Sequence, residues 1–124
     1  HKAVVRRIFE AVGEVIELEE KLFSAFSVIA SCSPAYTLLY VDALAQAGVQ
    51  FGIPKPLALK IASQAVLGTT RLLQETGEHP RALADQVCSP GGTTIAGVCS
   101  LQKDAFEAAV VAAAQASLDR DKQL

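Results

Sequence analysis

Apolar and polar positions recur along this chain with two different periods. In "KAVVRRIFEAV", Val4, Val5, Ile8, Phe9 and Val12 fall at helical spacing, which predicts an amphipathic helix from Lys2 to Val12 with Gly13 as its stop. From Glu14 to Leu18, "EVIEL" sets charge against Val15, Ile16 and Leu18 and carries two β-branched residues, which predicts a short strand. A lone strand leaves both of its backbone edges without partners. It therefore either pairs with a symmetry mate or is the last strand of a sheet lying outside these residues, and the second arrangement is favoured.

Glu19 to Ala30, "EEKLFSAFSVIA", reads as a helix with acidic residues in its first turn, where the helix dipole favours them. "SCSP", Ser31 to Pro34, is expected to break it. A second helix then runs from Pro34 to about Phe51 and is apolar on almost every side except near Asp42, Gln46 and Gln50. After "GIPKP", a third from Leu57 to Thr76 is again apolar over most of its circumference. Two such helices carry more apolar surface than a domain of this size hides. They form either a central hairpin in a small bundle or the shared core of an intertwined homodimer, and the excess favours the dimer.

Shorter elements follow. Pro80 opens a helix through Val87, Thr93 starts another to about Leu101, and Asp104 is expected to cap the last, "AFEAAVVAAAQASLDRDK". There is no internal repeat.

Composition narrows the class. Of 124 residues 51% are hydrophobic, yet there are only two Tyr and five Phe and no Trp or Met, so a core must be built from Ala, Val, Leu and Ile in closely packed helices. A net charge of -2 and a pI near 5.6 provide no basic face for nucleic acid. Cys32, Cys88 and Cys99 lack metal-ligand spacing and are odd in number, which argues against zinc and a disulfide framework and fits a reducing cytoplasm. No apolar run reaches the ~18 uninterrupted residues of a membrane span, and no signal peptide opens the chain, so a soluble protein is expected. The start at His1-Lys2 without Met points to further chain upstream.

Few side chains qualify for catalysis. His1 and His79 are poorly placed as general bases, so no His-based triad is available. Glu19, Glu20 and Asp104 lie at helix starts, while Asp42 alone falls inside an apolar helix, as a functional group or as a hydrogen-bonding partner to a neighbouring helix. The GxGxxG fingerprint of a dinucleotide fold is absent. Cys88 and Cys99 read as small buried apolar residues.

That leaves "SPGGTTIAG", Ser89 to Gly97. Two glycines let a ligand approach bare backbone, and the first amides of the following helix have no intrahelical partners and sit at its positive end. Together with the Ser89, Thr93 and Thr94 hydroxyls they would hold a carboxylate- or phosphate-sized anion. The plainer reading is an N-cap in which Thr93 satisfies the helix start.

The segment "LADQVCSPGGTTIAGV", Leu83 to Val98, closely resembles the signature of pyrroline-5-carboxylate reductase. The stretches "SPAYTLLYVDALAQAGVQFGIPKPLALKIASQAVLGTTRLL" and "FEAVGEVIELEEKLFSAFS" resemble that family's long central helices and its interdomain junction. The resemblance implies an all-α helical bundle forming an intertwined dimer, residues 19–124, preceded at residues 1–18 by the last helix and strand of a Rossmann domain. It implies a homodimer or a higher oligomer and a small imino-acid substrate in the cytoplasm, with no nucleic acid and no membrane. NAD(P)H would belong to the full-length enzyme and not to these residues, which alone would be inactive. Backbone amides near Gly92, Thr93 and Thr94, with the Ser89 hydroxyl, would bind the substrate carboxylate. The Thr94 hydroxyl would contact the ring nitrogen as the catalytic group. The chain departs from the family at Ala30-Ser31-Cys32-Ser33, where Ser-Gly-Ser-Gly is usual, leaving Ser31 and Ser33 as the hydroxyls there. The competing reading is a non-catalytic dimerisation module on the same scaffold, although such a module has no need of both glycines and Thr94.

Overall fold

The computed structural model describes all residues from His1 to Leu124. Seven α-helices follow one another: α1 (Lys2–Glu10), α2 (Phe23–Ser27), α3 (Ser33–Gln50), α4 (Lys55–Thr76), α5 (Pro80–Val87), α6 (Thr93–Lys103) and α7 (Phe106–Gln123). A 3₁₀ turn, Glu20–Leu22, leads into α2, and a π-helical turn, Val28–Cys32, joins α2 to α3.

The strand expected over Glu14–Leu18 does not form: residues 14 to 19 belong to no helix or strand. A strand is stable only with a ladder partner, and this chain has none to give it. Instead Glu17 reaches back to α1, accepting from Lys2 Nζ at 3.3 Å and Arg6 Nη1 at 3.1 Å. Arg6 also pairs with Glu10 at 2.7 Å.

The break expected at Ser31–Pro34 is also absent. The Ser33 N–H donates to Val28 O, one residue further back than in an α-helix. Its hydroxyl donates to Ile29 O at 2.5 Å, the carbonyl that the shifted register and the N–H-less Pro34 leave without a backbone donor. The helix therefore continues through the proline. Glu20–Gln50 becomes one run of 31 residues, long and apolar enough by length and composition to cross a membrane.

The α3–α4 hairpin is the best-packed part of the chain. The α3 terminus closes with Ile53 N–H donating to Gly48 O at 2.9 Å and Gly52 N–H to Val49 O at 3.0 Å, with Gly52 at φ +101° as the left-handed residue. The two helices approach through small residues: a Cβ on Gly48 would stand 3.0 Å from Ala58 Cβ, and Ala45, Ala58 and Ala62 are buried there. Lys55 Nζ pairs with Asp42 at 2.6 Å, so Asp42 ties the hairpin together. Helix α7 folds back onto α2 and the π-turn, and Tyr36 of α3 joins it through its hydroxyl, which bonds the Ser117 hydroxyl and donates to the Ala113 carbonyl.

Asp104 does not cap α7. Ala105 occupies the N-cap position at φ +57°, and no side chain caps this helix.

Within one chain the core is minimal. Only Val28, Ala45, Ala58 and Ala62 are buried, while Leu38, Leu39 and Phe51 are 68%, 72% and 79% exposed. The all-round burial expected of α3 and α4 is thus not met inside a single chain. The chain exposes 9964 Å², whereas a compact monomer of its 13.0 kDa would expose about 6,300 Å².

Candidate functional site

The site begins with α5. His79 is its N-cap: Nδ1 accepts the Arg81 N–H at 3.1 Å, and Pro80 takes the first helical position, where no donor is needed. The helix ends at Val87, and Cys88 N–H closes back on Asp85 O at 3.1 Å.

Ser89-Pro90-Gly91-Gly92 then forms a tight turn, with Gly92 N–H donating to Ser89 O at 3.0 Å. Proline presets the second position, and Gly91 takes φ +68° at the third, the pattern of a type II turn. Gly92 is held by space: a Cβ there would lie 2.5 Å from Ser89 Oγ and 3.2 Å from its carbonyl oxygen. Its amide is spent inside the turn, so Gly92 contributes bare backbone and not a donor to a ligand.

Helix α6 starts at Thr93, with Gly92 as an extended N-cap residue that has no side chain to cap it. Thr93 is therefore not the cap, and the Thr93, Thr94 and Ile95 amides have no acceptor in the chain. They converge at the positive end of an 11-residue helix beside the Ser89 hydroxyl. Such an arrangement suits a carboxylate or phosphate oxygen.

Ser89 and Gly92 lie in this turn, Thr93 and Thr94 open the helix that follows it, and the other candidates lie elsewhere. Ser33 is committed to Ile29 O, and its π-turn packs against α7. Cys88 is half-buried, whereas Cys99, expected to be buried, is exposed. No group of three His, Cys, Asp or Glu is placed to hold a metal ion. Two clefts of about 430 Å³ lie away from the turn: one among Ser27, Cys32, Ser117 and Arg120, the other wholly apolar, between α3 residues such as Leu39 and Tyr40 and Leu101 and Phe106. Sequence reasoning missed the capping role of His79 and the pairing of Arg81 with Glu107. For the first, a histidine directly before a helix-starting proline was the available signal.

Residues 20–124 match the protein family described as pyrroline-5-carboxylate reductase dimerisation. The chain belongs to this pyrroline-5-carboxylate reductase family. It is 45% identical over 122 residues to the pyrroline-5-carboxylate reductase of Arabidopsis thaliana, covering 98% of this chain and 44% of that protein. The Escherichia coli reductase is 41% identical, with 98% of this chain and 45% of that protein covered. Among solved structures, the 1-pyrroline-5-carboxylate reductase of Streptococcus pyogenes superposes with a TM-score of 0.93 at 41% identity, over 99% of this chain and 48% of that one. The Plasmodium falciparum pyrroline carboxylate reductase, solved with NADP bound, gives 0.90 at 31% identity, over 98% and 47%. The chain thus spans less than half the length of these reductases.

This reductase-family chain has no β-strand and hence no glycine-rich strand-turn-helix among its residues.

Proposed function

We propose that this chain is the dimerisation and substrate-carboxylate part of a pyrroline-5-carboxylate reductase, which reduces a cyclic imino acid to L-proline with NAD(P)H. The observation that carries this reading is the turn at Ser89–Gly92, which delivers the uncapped start of α6 in a chain of this family.

The Thr93 and Thr94 amides and the Ser89 hydroxyl bind the substrate carboxylate, and Gly92 leaves room for it. The Thr94 hydroxyl holds the ring nitrogen. A threonine hydroxyl is a weak acid, so the proton comes ultimately from water. Most of the rate gain assigned to these residues is positioning. The hydride donor is assigned to the part of the reductases that these residues do not span, so the 124 residues alone are inactive.

The apolar surface of Glu20–Gln50 and α4 is assigned to a second copy of the chain. The surface beyond that of a compact monomer amounts to about 3,600 Å² per chain, enough for a large obligate interface of roughly 1,000–2,500 Å² per partner as well as the cover over α1. The family match over the same residues supports this use of the long helix in a cytoplasmic enzyme over a membrane span. Residues 1–18 are assigned to the end of the nucleotide-binding domain, which would cover the exposed Val4, Ile8 and Phe9 of α1.

The test is NAD(P)H-dependent reduction of pyrroline-5-carboxylate by the full-length protein, with Thr94→Ala alongside. A loss of turnover by about tenfold is expected for the variant, the effect of one lost hydrogen bond. A full-length protein without this activity that still dimerises would instead be a scaffold.

A further inference from the structure

The loop that carries the proposed cradle joins α5 to α6, two helices with little direct packing between them. Something must fix the open end between the start of α5 and the end of α6. Helix α6 has 11 residues and is therefore about 16 Å long, so a tilt of about 10° at its far end moves Thr93 by roughly 3 Å. Carboxylate recognition by two amides and a hydroxyl tolerates far less than that.

The open end holds one cross-link. Arg81, the second residue of α5, pairs through Nη2 with Oε1 of Glu107, the second residue of α7. Between Glu107 and the end of α6 lies only the elbow Asp104–Phe106, where Ala105 sits at φ +57°. A non-glycine residue keeps that conformation only when its surroundings impose it. Arg81 is itself held at the backbone by His79 Nδ1. The ion pair therefore links the start of α5 to the far end of α6 across a strained elbow, opposite the substrate loop.

We infer that Arg81 and Glu107 are positioning residues for this loop, setting the direction of α6 and with it the place of the Thr93 and Thr94 amides. The inference rests on reading the loop as the carboxylate cradle. Neither residue touches substrate. Both side chains are more than half exposed, 56% and 55%, which limits the effect of breaking the pair.

The experiment uses the full-length protein and two readouts. Arg81→Ala and Glu107→Ala are each expected to raise the KM for pyrroline-5-carboxylate by about two- to fivefold. The KM for NAD(P)H and dimer sedimentation should stay unchanged. Amide hydrogen exchange at Ala96, Gly97 and Val98 should quicken by a similar factor in both variants. The double exchange Arg81→Glu with Glu107→Arg should return both readouts toward wild type. Unchanged exchange in the single variants, failure of the double exchange to restore it, or a shift in sedimentation overturns the inference. A wild-type protein that does not reduce the imine overturns the cradle reading instead, while exchange still decides whether the pair positions the loop.

Discussion

Gly92 lies so close to Ser89 that a methyl group on it would stand 2.5 Å from the serine hydroxyl oxygen. That approach holds the hydroxyl beside the bare start of α6. Gly92→Ala is therefore expected to open the turn and raise the KM for pyrroline-5-carboxylate in the full-length enzyme by about tenfold or more. Dimerisation should be unaffected. Wild-type kinetics in the variant would show that the turn need not keep this form.

The exposed apolar face of α3 should make the chain self-associate. Leu39 is 72% exposed and lines an all-apolar cleft with Tyr40, Leu44, Leu101 and Phe106. Sedimentation at micromolar concentration is expected to show a dimer for the 124-residue chain and monomer or aggregate for Leu39→Glu, since burying a lone carboxylate in such a face is strongly unfavourable. A stable wild-type monomer would contradict the shared core.

Ala105 should be improvable. At φ +57° its Cβ is strained, and glycine removes that strain at the expense of a more flexible unfolded chain. Ala105→Gly is expected to raise stability by about 0.5 kcal/mol in thermal unfolding at fixed protein concentration. A lower melting temperature would mean that the elbow is not held against its preference.

Hydrogen bonding from Lys2, then its charge and the Arg6 guanidinium, hold the Glu17 carboxyl below its usual range. A depressed carboxylate stabilises the tether of residues 14–18 to α1 above its unfolded value and loses that contribution as pH falls through the folded value. Amide protection in α1, taken relative to the intrinsic exchange rate at each pH, is thus expected to fall on acidification in the wild type and to be less pH-dependent in Glu17→Gln. The groups are at least half exposed, so high salt should weaken the wild-type dependence.

Much of the local geometry around Ser89–Gly92 was legible residue by residue. Pro90-Gly91-Gly92 announces a turn with a left-handed third position, and a helix starting at Thr93 follows from the pattern after it. The division of labour inside the turn was not legible. Gly92 spends its amide on Ser89 O, and Thr93 stands inside the helix instead of capping it, because caps depend on where the first helical dihedral falls. Pro34 misled in the same way. A proline after two small polar residues predicts a break, but the Ser33 hydroxyl and one widened turn supply what the proline withholds.

The sequence by itself determined the helical class, the apolar faces of α3 and α4 and the turn chemistry at Ser89–Gly92, because these rest on local periodicity and on the dihedral limits of glycine and proline. Tertiary structure alone decided that Glu14–Leu18 forms no ladder but ties back to α1 through Glu17, and that Arg81 meets Glu107 across 26 positions. Each of these depends on which distant groups come within hydrogen-bonding reach, and no local pattern encodes that distance; the unbroken run Glu20–Gln50 rests instead on a one-residue shift of hydrogen-bond register at Ser33 that periodicity does not show.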